Sequence, residues 1–570
     1  MAELHKQRLQ YEARRGALEM ERSTWVSHWR ACGQYIQPRR AQFLDAAQTT
    51  STGSGTTTST STRGRNVGKK RHSAIINSAA TRAADTLTAG LMAGLTSPAR
   101  PWFRITTPVP GLAEFGPVKQ WMHLAEVILY EMFRRSNFYQ SLAVVYEDLG
   151  VFGTAAMMIE ADFQDVIRCT PFPVGSYSLA LDGRLAVDTI YRKEEMTASQ
   201  LISAFGEDNV SDSLVRSWKK DATEETADIV HVIELNDDRI EGKRDFRNMP
   251  FRSVYYDAGD TDHEFLRESG FSSFPVIAPR WWVTGRDVYG RSPGMNALGD
   301  VRALQEDERR KGKHLEMLTR PPMVAPQSMK RARVSTVPGE VSYVPDSAAR
   351  DAYRPAWLVD PNISPQLENI DATTQRIEEC FHKQAILALL FNRSPQKTAT
   401  EVAEIAGEKA VVLSVAIERT QHEGLDPAVL RSMEIALQSR VIPPPPPELV
   451  GAPIAFDYVS ILAQAQKAIG TVGIERISGT VGSWAAVNPT VLDKLDFDQM
   501  VDEYGSLLHV PPQIIRSDDQ VAQIRQQRQQ AEQQQQALEL AERGVQGAKV
   551  LSETEVGGQN ALDQLLGGGV

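Results

Sequence analysis

The sequence predicts an α+β fold that is predominantly helical. Apolar residues recur at the helical period over most of the chain, as they do from Trp25 to Ile36. Between residues 155 and 284 the pattern changes to short apolar runs, two of which flank the turn dipeptide Asp182-Gly183. Hydrophobic residues make up 42% and charged residues 24% of the chain, as in ordinary globular proteins. This composition excludes disorder of the whole chain and a fibrous repeat.

Charge, cysteine content and hydropathy exclude further classes of protein. The 570 residues carry 62 Lys+Arg against 72 Asp+Glu, a net charge of −10, which argues against a protein that grips DNA over its whole surface. The three cysteines, Cys32, Cys169 and Cys380, lie far apart, which disfavours a disulfide framework or a cysteine-based zinc site. No apolar run approaches the ~18 residues of a membrane span, and residues 1–6 lack a secretory signal. We therefore expect a soluble protein made in the cytoplasm.

The N-terminal third is predicted to be largely helical. Residues 3–37 form a first helix, followed from Thr49 to Thr62 by a run of only Ser, Thr and Gly that cannot bury apolar surface. We predict a loop there, then a helix rich in small residues over 72–94 and a third helix over 117–149. The strands of the α+β block follow.

Two long helices of matched length are predicted in the middle of the chain. The first covers 293–320 and spans roughly 40 Å. A proline-rich insert, 321–365, separates it from the second helix over 366–391. The two helices are expected to form an antiparallel hairpin with the insert at its tip. Opposite charges four residues apart on the first helix fit either a solvated surface or packing against copies of the same chain.

The C-terminal third is predicted to be helical around a stiff proline run. Thr398–His422 forms a further long helix, and Asp426 with Pro427 marks the start of the next one. After Pro443–Pro447, helices are predicted over 457–478, 490–508 and 518–549. Glutamine dominates the last helix, whose apolar stripe is too thin to sustain both core positions of a plain coiled coil.

Enzyme motifs are incomplete wherever they begin. Gly64–Lys70 has the glycines of a phosphate-binding loop but the wrong spacing, and Lys70 stands where a magnesium-binding hydroxyl is needed. His263–Arg267 starts like a zinc-protease helix but lacks the second histidine, and Asp260–Glu264 lacks the glycine of a calcium loop. We therefore predict a protein that is not an enzyme and has no cofactor and no metal.

Several short stretches, in their order and spacing, resemble one family over nearly the whole chain. They are Trp25–Trp29 with Tyr35–Pro38, Leu95–Pro98 with Trp102-Phe103, Ser136–Phe138 with Asp148–Thr154, Tyr289–Pro293, and Thr398–Val402. With these stretches the sequence resembles the head-to-tail connector (portal) proteins of short-tailed bacteriophages. The C-terminal part beyond Pro447 contributes least to the resemblance.

The resemblance implies a structural protein of the virion. Such proteins form a ring of identical subunits, usually twelve, at the head-tail junction, and its channel serves DNA packaging and ejection. Implied partners are further copies of the chain, double-stranded DNA, terminase, a tail adaptor, and the major capsid and scaffolding proteins, with no membrane. ATP hydrolysis belongs to the terminase, consistent with the incomplete phosphate loop. An oligomeric phage structural adaptor or minor tail protein without a DNA-conducting stem is the alternative.

The resemblance also implies how the portal fold of wing, stem, clip and crown divides this chain. The expected parts are the wing at 1–292, the stem helices at 293–320 and 366–391, the clip at 321–365, the channel loop at 392–397, a wing helix at 398–425, and the crown with the Gln-rich helix at 426–570. The site residues expected from this division are basic. They are Arg393 and Lys397 of the channel loop, facing DNA phosphates; Lys330, Arg331 and Arg333 of the clip, facing adaptor or terminase; and a patch of Arg63, Arg65, Lys69, Lys70 and Arg71. For the channel-loop and patch residues, the alternative interpretation is that they are solvated charges of a loop without a binding role.

Overall fold

The computed structural model describes most of the chain. The described residues are 4–46, 73–113, 115–220, 225–240, 242–243, 245–260, 264–320, 323–324, 354–355, 362–391, 414–458, 476–484, 495–507, 518–553, 555–556 and 559–560. The chain divides into two compact units. Unit 1 comprises Met1–Thr106, Leu124–Pro444 and Ile454–Gln466, and unit 2 comprises Thr107–His123, Pro445–Pro453 and Lys467–Val570. None of the helices within the described ranges is long and apolar enough to cross a membrane.

Helices predominate, as the sequence predicts. They are α1 (Leu4–Tyr35), α2 (Ala41–Ala46), α3 (Ala79–Leu95), α4 (Pro110–Ala113), α5 (Gly116–Arg135), α6 (Phe138–Phe152), α7 (Ala198–Phe205), α8 (Asp212–Lys219), α9 (Pro293–Thr319), α10 (Ser364–Cys380), α11 (Lys383–Phe391), α12 (Asp426–Gln438), α13 (Phe497–Leu507) and α14 (Asp518–Glu553). Shorter turns of helix occupy Glu207–Asn209, Phe246–Asn248, Gln421–Leu425 and Pro447–Leu449. Residues 476–484 are also helical.

The strands form antiparallel sheets, so the α+β prediction is confirmed at this level. They are β1 (Phe103–Thr106), β2 (Ala156–Asp162), β3 (Val166–Phe172), β4 (Tyr177–Leu181), β5 (Val187–Thr197), β6 (Thr226–Leu235), β7 (Phe251–Asp257), β8 (Arg267–Phe271), β9 (Val276–Ile277), β10 (Met323–Val324), β11 (Arg354–Pro355), β12 (Ala455–Tyr458), β13 (Glu555–Val556) and β14 (Gln559–Asn560). The largest sheet has the order β4-β5-β6-β7-β8, and a smaller one has the order β3-β2-β9.

The predicted helix over 117–149 is wrong as a single element. It is two helices, α5 and α6, which are interrupted at Ser136-Asn137. The Asn137 side chain explains the interruption, because its amide nitrogen donates to the carbonyl of Cys169 at 2.7 Å and its oxygen accepts from the Cys169 N–H at 2.9 Å. An amide side chain that satisfies a strand backbone in this way fixes the start of α6 against β3.

The predicted start of the helix over 72–94 also moves, to Ala79. The residues just before it are held by Gln305, whose side-chain oxygen accepts from the backbone N–H groups of Ile76 at 2.6 Å and Asn77 at 2.9 Å. The buried face of small residues that was predicted is confirmed. At Gly90 a Cβ atom would overlap the side chain of Ile386, so only glycine permits α3 to approach α11 this closely.

The helix predicted over 457–478 does not begin there. Residues 455–458 instead form β12, which pairs with β1 more than 300 residues earlier in the register Phe103↔Tyr458 and Ile105↔Phe456. Aromatic packing stabilises this pair, since Trp102 stacks on Tyr458 with ring centroids 6.3 Å apart. Contacts between residues so distant in sequence leave no local periodicity from which to predict them.

Three stretches that carry the family resemblance meet at one place, which we call the glycine joint: residues 151–154 and 289–295, covered by Trp29. Gly290 donates its N–H to the Thr154 hydroxyl at 2.7 Å, and the Trp29 indole N–H donates to the carbonyl of Phe152 at 3.0 Å. Tyr289 packs edge-on against Trp29, with ring centroids 5.0 Å apart. The residues that carry the family resemblance therefore pack against one another here.

The glycine joint requires glycine because two backbones touch. A Cβ atom on Gly290 would overlap the carbonyl oxygen of Gly153, and one on Gly153, which has φ 79°, would overlap the carbonyl of Gly290. Ser292 then starts α9: its hydroxyl accepts from the Met295 N–H at 2.9 Å and donates to the carbonyl of Val151 at 2.6 Å. The joint therefore sets the direction of the long helix.

The joint predicts opposite effects for two glycine-to-alanine substitutions. Gly290→Ala is expected to lower the free energy of unfolding by about 3 kcal/mol, because the new methyl group must displace backbone. Gly299→Ala is the matched control: Gly299 lies in the exposed interior of α9 with nothing near its Cβ position, so alanine is expected to stabilise by about 0.5–1 kcal/mol. Thermal and denaturant unfolding would measure both, and equal effects would contradict the steric account.

A second prediction concerns pH and the buried carboxylate of Glu126. Burial raises the pKa of Glu126 to about 7, although the Ile105 N–H, which donates to it at 2.7 Å, and Arg104 oppose the rise. The raised pKa means that the folded state favours the protonated acid. This stabilisation is complete below the unfolded value of about 4.3 and is lost as pH rises to about 7.

Glu126→Gln is therefore expected to remove this loss. Relative to wild type, its stability should rise by as much as about 3 kcal/mol between pH 4 and pH 8, because glutamine is neutral and keeps an acceptor for Ile105. Glu131→Gln, at an exposed carboxylate on the same helix, is the control and should show no such trend. Unfolding midpoints across pH provide the measurement, and a pH-independent difference for Glu126→Gln would refute the prediction.

Candidate functional site

The candidate functional site is the pair formed by α9 and α10, which we call the paired helices. Three polar contacts join their facing sides. They are Arg376 to Asp300 at 3.1 Å, Asn369 to Asp307 at 2.7 Å, and His314 to Gln366 at 3.1 Å. Because positions on α10 decrease as those on α9 increase, the two helices are antiparallel. The hairpin predicted from the sequence is confirmed for these residues.

The second helix is shorter than predicted. The expected single helix over 366–391 ends at Cys380, and α11 begins only at Lys383. Phe381 is fully buried at the interruption, and His382 takes a positive φ of 53°. The change of chain direction at these two residues accompanies the burial of the Phe381 ring in the core of unit 1. The prediction that the two helices have the same length is therefore wrong, because α9 has 27 residues and α10 has 17.

Burial changes along α9 from one end to the other. Its first half contributes Leu298, Val301 and Leu304 to the core, whereas residues from Glu306 onward are half-buried or exposed. Leu315 and Met317 near its end are 43% and 41% exposed. The start of the helix is therefore anchored, and its end carries a surface that is not covered within the described residues of this subunit.

On the paired helices, acidic residues equal basic residues in number or exceed them. The acids of α9 equal its bases in number, and ion pairs such as Glu308 to Lys311 at 2.5 Å and Glu306 to Arg309 at 2.8 Å neutralise them locally. On α10, Glu368, Asp371, Glu378 and Glu379 outnumber Arg376. Such a surface offers DNA phosphates few free cations, so it would hold a duplex weakly.

The basic site residues predicted from the sequence lie outside the described residues. They are Arg393 and Lys397 of the expected channel loop, Lys330, Arg331 and Arg333 of the expected clip, and Arg63, Arg65, Lys69, Lys70 and Arg71 of the expected patch. The loop predicted at 49–62 and most of the insert at 321–365 lie outside as well; within the insert, β10 pairs with β11. These assignments remain predictions.

A buried ion pair that the sequence analysis missed anchors the helix preceding α12. Arg280, 2% exposed, forms two hydrogen bonds to the Glu423 carboxylate, with Nη2 to Oε1 at 2.8 Å and Nε to Oε2 at 3.0 Å. Two further donors reach the backbone carbonyls of Asp287 and Leu185. These four hydrogen bonds stabilise the guanidinium charge in the core, and removing the Glu423 carboxylate would leave that charge uncompensated. The sequence feature that could have indicated this ion pair was an arginine within the strand-like apolar run 274–284.

Glu423 lies in the π-helical turn Gln421–Leu425, within a run that is helical from residue 414 to 438. The prediction that Asp426 caps the start of a separate helix is therefore wrong. Its carboxylate instead accepts a hydrogen bond from the Tyr458 hydroxyl of β12 and contacts the His422 ring at 2.9 Å. The π turn, a feature often found at functional sites, thus contains the carboxylate that binds Arg280.

The described residues contain no group of three or more His, Cys, Asp or Glu side chains positioned to hold a metal ion. The best-defined features of the site are thus an anchored helix, its antiparallel partner, and a self-neutralising surface. These features suit a scaffold that presents a helical surface.

The chain is similar to known bacteriophage proteins over nearly its whole length. The sequence profile of the family described as bacteriophage head to tail connecting protein matches residues 8–515. The chain is 40% identical to the portal protein of Salmonella phage epsilon15 over 563 residues, covering 99% of this chain and 98% of the relative. It is 38% identical over 550 residues to the probable portal protein of Bordetella phage BPP-1, covering 96% of each.

A solved structure, the neck of an empty GTA particle computed with C6 symmetry, matches 75% of this chain and 90% of its own chain at 10% identity. Its TM-score of 0.33 is too low to support any conclusion about this protein. The profile match and the two full-length relatives decide the assignment, and the chain belongs to the bacteriophage head to tail connecting protein family.

Proposed function

We propose that this chain is the subunit of a phage portal, a ring that occupies the head-tail junction of the virion and conducts double-stranded DNA during packaging and ejection. The observation that carries the proposal is the alignment of two proteins named as portals over 96% or more of the chain. The protein acts as a structural component, and ATP hydrolysis for packaging is supplied by a separate terminase.

The paired helices are the stem of each subunit, and copies of them surround the channel. Two features support this role. The glycine joint fixes the start of α9 against the core of unit 1. The surface of α9 and α10 carries no excess of basic residues. This suits a channel wall, because strong phosphate binding would slow a moving duplex. The net charge of −10 agrees with a ring that surrounds DNA without holding it.

The basic residues predicted from the sequence supply the few transient contacts. Arg393 and Lys397, which follow α11, touch passing phosphates, and the clip residues Lys330, Arg331 and Arg333 contact the tail adaptor or terminase. The patch from Arg63 to Arg71 faces scaffold, capsid or DNA. The wing, clip, channel loop and crown keep the boundaries given above.

The proposal predicts a closed ring. The purified full-length chain, examined by electron microscopy and native mass measurement, is expected to form a ring of identical subunits, with twelve the expected number, around a hole that admits duplex DNA. A monomer or dimer under all conditions would overturn the proposal. A ring whose wall is not built from the paired helices would favour the structural adaptor or minor tail protein.

A second prediction tests the channel loop. The double variant Arg393→Ala with Lys397→Ala is expected to reduce packaged or retained DNA several-fold, because two phosphate contacts per subunit are lost. The control is Arg134→Ala, at an exposed arginine of α5 outside the predicted loop. DNA content of particles at two salt concentrations measures the effect. Wild-type packaging and retention in the double variant would remove Arg393 and Lys397 from the channel.

A further inference from the structure

The hairpin of β2 and β3 presents a fully exposed aromatic ring at its tip. The two strands pair as far as Asp162 and Val166, which leaves Phe163, Gln164 and Asp165 as the connecting loop. We call residues 162–166 the β2–β3 tip. Phe163 is 110% exposed, more than any other large apolar side chain that the structure describes. Aromatic side chains contribute strongly to protein interfaces when a partner buries them, so this ring is a candidate contact.

The backbone of the β2–β3 tip is held in a strained conformation. The Asp162 carboxylate accepts hydrogen bonds from the N–H groups of Gln164 and Asp165, both at 3.1 Å. Val166, which closes the loop, has a φ of 70°, in the left-handed region that β-branched residues rarely adopt. Strain of this kind is concentrated where a protein binds a partner. The tip therefore presents Phe163 in a fixed loop rather than on a flexible one.

A groove in unit 1 has the features that such a tip requires. It has a volume of about 1010 Å³ and lies between the loop that connects β6 to β7, the start of β8 and the start of α1. Its lining includes three apolar and three basic side chains, and we call it the arginine groove: Ile240, Phe246, Phe265, Arg247, Arg252 and Arg267. Ile240 and Phe246 are 53% and 49% exposed, so apolar surface in the groove is open to a partner.

One cation of the arginine groove is available to an incoming carboxylate. Glu268 pairs with Arg252 at 2.7 Å and lies 3.6 Å from Arg247. Arg267 is exposed and forms no ion pair with any residue that the structure describes. The other acids that line the groove are Asp238, Asp245 and Glu264. At the β2–β3 tip, Asp165 is likewise exposed and has no ion-pair partner among the described residues.

We propose that the β2–β3 tip of one subunit inserts Phe163 into the arginine groove of the neighbouring copy of this chain, with Asp165 against Arg267. The contact rests on the proposed function, because it joins subunits of the ring. A ring of identical subunits closes through head-to-tail contacts, in which each subunit contributes two different surfaces. The tip and the groove are two such surfaces, so their contact needs no two-fold axis.

The presence of both surfaces on one chain favours a second copy over another virion protein as the occupant of the groove. The tip is convex and carries an apolar ring beside a carboxylate without an ion-pair partner. The groove is concave and carries open apolar surface beside a guanidinium without an ion-pair partner. Burying the ring beside the new ion pair excludes water from both, and the opposite charges set the orientation.

Ring assembly of the full-length protein tests the contact. Phe163→Ser is expected to raise the protein concentration for half-maximal assembly by about tenfold or more, because the aromatic ring no longer fills the groove. Phe163→Tyr keeps the aromatic body and is expected to assemble nearly as well as wild type. Met20→Ser, at a residue of α1 that is 75% exposed, is the matched control and should assemble like wild type. Native mass measurement over a concentration series compares the variants.

Charge reversal tests the proposed ion pair. Asp165→Arg and Arg267→Asp are each expected to weaken assembly several-fold, because like charges then meet across the contact. The double variant exchanges the two charges and is expected to recover most of the wild-type assembly. A double variant that assembles no better than the single variants would overturn the pairing of Asp165 with Arg267.

Crosslinking gives an independent readout. Phe163→Cys combined with Phe246→Cys is expected, on mild oxidation, to give a ladder of covalent oligomers up to the whole ring, because head-to-tail links join every neighbour. Each single variant is the control for the native cysteines, of which Cys32 and Cys169 are buried. A disulfide formed within one chain, or rings without a ladder, would overturn the contact.

The outcomes separate the contact from the proposed function. Rings that form equally well with Phe163→Ser overturn the tip contact and leave the portal assignment standing. If those rings also fail to enter particles, the tip binds another virion protein instead of a second copy. A wild-type protein that stays monomeric overturns both.

Discussion

The contact between the backbones at Gly153 and Gly290 is the constraint on which the rest of unit 1 depends. It brings the end of α6 against the start of α9, and no side chain larger than hydrogen fits between the two. Ser292 and Trp29 then use the carbonyls of Val151 and Phe152 as acceptors. Because α9 begins at this closely packed, hydrogen-bonded joint, its first half is held against the core of unit 1 and its exposed half continues from there.

Four further interactions connect distant segments of unit 1. The Arg280–Glu423 pair ties the chain before the glycine joint to the helix that continues into α12, and Asp426 in turn binds Tyr458 of β12. Strand β12 pairs with β1, whose neighbour Trp102 packs on Phe133 and Phe138. Segments hundreds of residues apart are thus connected through buried charge-assisted bonds and stacked rings, which tolerate little displacement.

The same chain uses charge differently at its surface. On α9, acids and bases neutralise each other within about one turn, and α10 carries more acids than bases, so the surface of the paired helices attracts phosphate only weakly. On α14, charge is instead confined to one side, and the other side is neutral. The first arrangement suits the proposed channel wall, because it would bind a moving polyanion only weakly. Both surfaces are therefore defined by where the charged residues lie along the helix.

Local periodicity and turn residues in the sequence determined α1, α9, α14 and the hairpin at Asp182, because each depends on neighbouring residues. The family was recognised from short stretches of sequence. Their packing role became clear only in the structure, where residues 151–154 contact residues 289–295. Only the tertiary structure decided the break at Asn137, the bend at Phe381, the β1–β12 pair and the Arg280–Glu423 pair. In each of these, the partner that satisfies a polar group or buries a ring lies far away in sequence, where periodicity carries no information.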